Sequence, residues 1–112
     1  MAKIIITKNL EEEINKKFKG ESAKIFDLMR SLEKSPHKGK IIGQVSGIII
    51  KEIKYKSFRF YFITDGFKIK LLEKDELENL LIKFVKMSDK KNQQKIIDEI
   101  KYVLRNFGEN NF

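Results

Sequence analysis

Ser57-Phe58-Arg59-Phe60-Tyr61-Phe62-Ile63-Thr64-Asp65-Gly66 is the stretch on which the fold turns. Its period is two: Phe58, Phe60 and Phe62 fall on one side of an extended strand, and Arg59, Tyr61 and Ile63 on the other. An Asp-Gly pair follows, a strong short-range hairpin signal. Residues 67–72 then alternate again, with Phe67, Ile69 and Leu71 on one face and Lys68, Lys70 and Leu72 on the other. The spacing predicts a hairpin through Asp65-Gly66 that joins the two oily faces. Arg59, Tyr61, Lys68 and Lys70 then lie on an opposite, cationic face.

Outward from this centre the pattern continues. Residues 41–46 and 48–54 are strand candidates, with Gly43 and Gly47 marking a bulge or bend. Before them, Ser35-Pro36-His37-Lys38-Gly39-Lys40 carries the one proline of the chain and reads as a connector. Earlier still, Leu10, Ile14 and Phe18 recur at helical spacing, with Asn9 and Glu12 placed for a capping box and Gly20 as a stop. A second helix is predicted over 21–34 through Ile25, Leu28, Met29 and Leu32, so the two segments form a helical hairpin. Residues 3–7 are β-branched and read as a first strand.

Downstream, residues 73–78 form an acidic run whose Asp75, Glu76 and Glu78 suit a dipole-matched helix start. Residues 75–87 fit helix or strand spacing, and a short helical turn or loop leading into a strand is the expectation. A last helix is predicted from Ser88 or Asp89 to Phe107, burying Ile96, Ile100, Val103, Leu104 and Phe107, with Gly108 as its stop. The expected architecture is α+β, one domain over residues 1–112. A helical hairpin packs on a curved antiparallel sheet, with a C-terminal helix alongside.

Composition bounds the function. The 112 residues are 41% apolar and 36% charged, with 24 Lys+Arg against 16 Asp+Glu, a net charge of +8. The chain has no cysteine and one histidine, which excludes thiol nucleophiles, disulfides and multi-histidine metal sites. No apolar run approaches the roughly 20 residues that span a bilayer, and the first residues are too short for a signal-peptide core. A cytoplasmic protein without cofactor or membrane association is expected. No Gly-rich phosphate loop, GxSxG or HExxH occurs, so any active site is built from Lys, Arg, Tyr and His37.

The segment from Pro36 to Phe60 holds Lys38, Lys40, Lys51, Lys54, Lys56 and Arg59 against a single acid, Glu52. Lys68, Lys70, Lys83, Lys86, Lys90 and Lys91 extend the excess, which suits phosphates, while Tyr55 and Tyr61 suit unpaired bases. Lys51, Lys56, Lys68, Lys70, Lys83 and Lys90 are the candidate nucleic-acid contacts. Any one lysine is more often simply solvated. Arg59 differs, since arginine is scarce here and this one interrupts an aromatic strand.

Ser57-Phe58-Arg59-Phe60-Tyr61-Phe62 resembles the Arg-bearing central strand of the RelE/ParE toxin superfamily, and Lys51-Glu52-Ile53-Lys54 resembles the element before it. Lys83-Phe84-Val85-Lys86-Met87-Ser88-Asp89-Lys90-Lys91 is similar to the segment leading into the last helix in the HigB, or phage Gp49-like, branch. The resemblance implies a RelE-like fold and a type II toxin that cleaves ribosome-bound mRNA without metal. It also implies silencing by a small antitoxin, which must be acidic to neutralise this chain. By position, Arg59 matches the arginine that holds the scissile phosphate, Lys54 the upstream basic residue and Lys86 the one before the last helix. Attack by a ribose 2′-hydroxyl builds negative charge that such donors stabilise. The proton acceptor stays open between Tyr61, His37 and a lysine. The alternatives are a non-catalytic basic nucleic-acid-binding module and a gyrase-directed, ParE-like toxin.

Overall fold

Strands apolar on both faces need cover on both sides, and the sequence Ile48-Ile49-Ile50 at the start of one strand already demands it. A computed structural model describes residues 2–71 and 80–112 and shows how the demand is met. The elements run β1 (Lys3–Ile6), α1 (Lys8–Phe18), α2 (Ser22–Arg30), β2 (Lys40–Val45), β3 (Ile48–Tyr55), β4 (Phe58–Asp65), α3 (Gly66–Leu71), β5 (Leu81–Asp89) and α4 (Gln93–Asn106). The chain is α+β, with a five-stranded sheet in the order β1-β5-β4-β3-β2. The sheet is mixed: β1 pairs parallel with β5, and the other pairs are antiparallel. That edge strand corrects the expectation of a wholly antiparallel sheet.

The helical hairpin forms as the apolar spacing requires. Leu10, Ile14, Ile25 and Met29 pack against Ile49, Ile53, Phe60, Phe62, Ile82 and Phe84 on one face of the sheet. Thr7, not Asn9, caps α1, its hydroxyl accepting from the Leu10 N–H at 3.3 Å. Phe60 and Phe62 are fully buried and Phe58 partly so, which agrees with the period-two reading of β4.

The second face departs from expectation. Ile97, Ile100 and Leu104 of α4 pack there on Val45, Ile50, Tyr61, Ile63 and Val85. Its middle is therefore a second apolar core under a helix, not an open cationic surface. Helix α4 starts at Gln93 because β5 runs on through Ser88 and Asp89. Phe107 lies just past its end and is 60% exposed, so it is not part of the buried face.

The other correction concerns residues 66–71, which are helix and not a strand paired with β4. Asp65 Oδ1 accepts from the Phe67 N–H at 2.9 Å and the Lys68 N–H at 3.1 Å, so Asp65 caps α3 where a hairpin turn was expected. An aspartate before a glycine can open a turn or a helix. Here the free edge of β4 is taken by β5. The tight hairpins instead lie at Ser46-Gly47 (φ +51° and +82°) and at Lys56-Ser57. The acidic run 73–78 lies outside the described residues.

Candidate functional site

Pleating and register bring four expected residues and two unexpected ones together. On the α4 side of the sheet, Lys54, Arg59 and Ser88 sit directly opposite one another across β3, β4 and β5. The next row is Glu52, Tyr61 and Lys86. Directly opposed side chains on one face have Cβ atoms about 5 Å apart, so these six form one patch at the Tyr55/Phe58 end of the hairpin. A bulge in β5 at Val85 lets Lys86 face the same way as Tyr61.

The patch combines buried charge and exposed charge. Arg59 Nε lies 3.9 Å from Glu52 Oε2, and the two side chains are 11% and 3% exposed. Neither atom has a hydrogen-bond partner among the described residues. A buried charge left short of hydrogen bonds is costly unless something outside the protein completes it. Tyr61 is fully buried and its hydroxyl lies 2.7 Å from Ser88 Oγ. Burial pushes the Tyr61 phenol above its ordinary value. The Ser88 hydrogen bond and the Arg59 charge pull the other way, while Glu52 adds to the rise. Lys54 is exposed and Lys86 half-buried, so the cluster has a cationic rim around an acid–guanidinium pair.

The lysines proposed as nucleic-acid contacts do not gather here. Lys51 points to the opposite face, 3% exposed, donating to the His37 carbonyl at 2.9 Å and lying 5.8 Å from the Phe62 ring. Burial pushes its pKa down. It is a strut between sheet and connector. Lys56 sits in the β3–β4 turn and pairs with Glu21. Lys68 and Lys83 line a separate hollow of about 360 Å³ at the far end of β4, where Lys83 Nζ donates to the Glu109 carbonyl at 3.3 Å. Lys90 is exposed in the turn before α4, and Lys70 falls in α3 with its side chain outside the described residues. His37 is exposed on the connector, and its carbonyl accepts from Lys51.

Glu52 and Ser88 are the members that sequence reasoning passed over. The signal for Glu52 was its position as the lone acid within a cationic strand whose neighbours alternate inward. Ser88 gives none, because a serine at that place in the sequence fits a helix start as well as a strand end. Among the described residues no group of three or more His, Asp or Glu side chains is placed to hold a metal ion, and no helix is long and apolar enough to cross a membrane. Comparison of the chain with protein-family models, with curated proteins and with solved structures finds no match.

Proposed function

We propose that the chain is a toxin of RelE/HigB type, an endoribonuclease that cuts mRNA with its own side chains and is silenced by a small acidic partner. The observation that carries this reading is the buried Glu52–Arg59 pair with a free acceptor and a free donor, set between Lys54 and Lys86. A carboxylate short of hydrogen bonds is a proton acceptor for a ribose 2′-hydroxyl. The guanidinium beside it is placed to hold the phosphate as charge builds on it. The 2′-oxygen bonds to phosphorus as the bond to the 5′-oxygen breaks. Glu52 takes the 2′ proton, and an ammonium of the rim returns one to the leaving oxygen. The products are a 2′,3′-cyclic phosphate and a 5′-hydroxyl. Tyr61 is given no proton to move, and its hydroxyl holds Ser88 beside the pair.

The test is cleavage of message and of short synthetic RNA by the purified chain, with end-group analysis. Glu52→Gln keeps shape and removes the base, so cleavage should fall by about 10²–10⁴-fold; it also leaves the Arg59 charge uncompensated, so the melting temperature should drop while the protein still folds. Arg59→Ala strands the Glu52 charge and should cost about 3–5 kcal/mol of stability. Pairing Arg59→Met with Glu52→Gln should return much of that stability and none of the activity. A folded Glu52→Gln protein that cleaves like the wild type removes the reading. So does a folded wild type that leaves message intact and growth unaffected on induction. The burial of the pair also fits a binding module in which Glu52 and Arg59 are structural, and such a protein would bind RNA without any cyclic-phosphate product.

A further inference from the structure

Arg59, Glu52 and Tyr61 are too enclosed to be approached across the sheet, since α4 lies over the middle of that face. One opening next to them, among the described residues, is a hollow of about 280 Å³ between the end of α1 and the start of α4. Ser88 is in its wall. The same residue holds the Tyr61 hydroxyl and sits opposite Arg59 in the register, so it joins the hollow to the buried cluster. We infer that this hollow admits one unpaired nucleotide, and that Ser88 is where it first meets the buried groups.

The lining has the chemistry of a nucleotide. Phe58 and Ile96 give an apolar wall for the flat face of a base. Lys17 and Lys95 stand on the rim, where phosphates on either side of the inserted unit would pass, with Asp89 in the same wall offsetting part of the Lys17 charge. Lys17 also lies 5.1 Å from the Phe58 ring, so cation and aromatic already sit together. Glu13 is exposed on the same rim, with no ion pair among the described residues. A carboxylate there accepts from base N–H groups, and guanine presents two of them side by side. Paired RNA keeps its bases stacked inside the helix and cannot send one into a hollow this small. The substrate class that follows is single-stranded RNA, with guanine favoured at the inserted position.

This inference rests on the ribonuclease reading for its purpose, and binding tests it separately. The probe is a short fluorescein-labelled RNA, 2′-O-methylated so that it cannot be cut, offered as a single strand with one central guanine, with uracil in its place, or as a duplex. Anisotropy with the whole chain should show the guanine strand bound about tenfold tighter than the duplex and several-fold tighter than the uracil strand. Lys95→Ala should weaken single-strand binding about tenfold, whereas Lys38→Ala, an equal loss of charge on the connector, should change it less than twofold. Glu13→Gln should erase the preference for guanine. Duplex bound as well as single strand, or Lys95→Ala and Lys38→Ala equal in effect, overturns the inference even if the chain cleaves RNA. Selective single-strand binding lost in Lys95→Ala upholds it even if cleavage is never seen, in which case the nuclease reading alone falls.

Discussion

Two lysines three positions apart on β3 show how little residue type says without its place. Lys54 is exposed beside Arg59, while Lys51 is enclosed on the opposite face with its ammonium on the His37 carbonyl. The consequence for Lys51 is a pH dependence with a definite sign. Burial lowers its pKa from 10.5, so the folded chain holds that proton less tightly than the unfolded chain. The stabilising contribution of a depressed group is present above its unfolded value and is lost as pH falls through its folded value. At neutral pH the buried charge is therefore a liability, partly offset by its hydrogen bond and by the Phe62 ring. Lys51→Met removes the liability. The difference in unfolding free energy between wild type and Lys51→Met should shift toward the wild type as pH rises from neutral to about 10.5, measured by urea melts. No shift would mean that Lys51 keeps its charge as easily folded as unfolded, and a shift the other way that the folded chain holds it more tightly. Tyr61 acts oppositely but is common to both proteins and cancels.

Elements were legible in the sequence where one pattern had one physical meaning. The α1–α2 hairpin and strands β2 to β4 followed from apolar spacing and from Gly47, and the inward Phe60 and Phe62 followed from the pleat. The Asp65-Gly66 pair reads locally as a hairpin turn, and tertiary pairing of β4 with β5 made it a helix start instead. The cover provided by α4 was written in Ile48-Ile49-Ile50, since consecutive apolar residues fit a strand buried on both faces, but the cationic residues downstream drew the reading away. For the site, alternation was enough to put Arg59 and Tyr61 on one face, while Lys54 and Lys86 came only with the resemblance. Alternation could not give Ser88 or Lys86, whose placement depends on the β5 bulge and on where the strand ends. The element boundaries are testable through two glycines and the cap. A Cβ on Gly66 would lie 2.7 Å from the Gly47 carbonyl, which already accepts the Gly66 N–H at 2.8 Å. Gly66→Ala should therefore cost about 1–3 kcal/mol. Asp65→Ala should cost about 1 kcal/mol by uncapping α3. Gly20, in the turn between α1 and α2, has open space around its Cβ position, so Gly20→Ala should stabilise by about 0.4–1 kcal/mol. In thermal melts Gly20→Ala should therefore lie above the wild type and Gly66→Ala below it; a Gly66→Ala protein as stable as the wild type would mean that position 66 does not lie against the Gly47 carbonyl.

At the scale of the molecule the question is how a charge of +8 is used. Had the second sheet face been open, its lysines would have formed a broad surface and bound any polyanion along its length. With helices on both faces, the cations are scattered over helix exteriors and turns, and few of them converge: Lys17 and Lys95 at the hollow, with Lys54 and Lys86 beside it. Local and diffuse binding differ in salt dependence. Each phosphate neutralised on a single strand contributes about −0.7 to the slope of log affinity against log salt concentration. These four contacts give a slope of about −3, whereas engaging the whole surplus of eight gives roughly −5 to −6. Titration of the uncleavable guanine strand across a range of salt should return the shallower value, and Lys95→Ala should make it shallower by a further ~0.7. A slope near −5, unmoved by Lys95→Ala, would show that the molecule attracts RNA with its whole surface. The hollow beside Ser88 would then have no special claim on the substrate. The shallow slope belongs to a protein that gains little from charge at a distance and selects its substrate by what fits between α1 and α4.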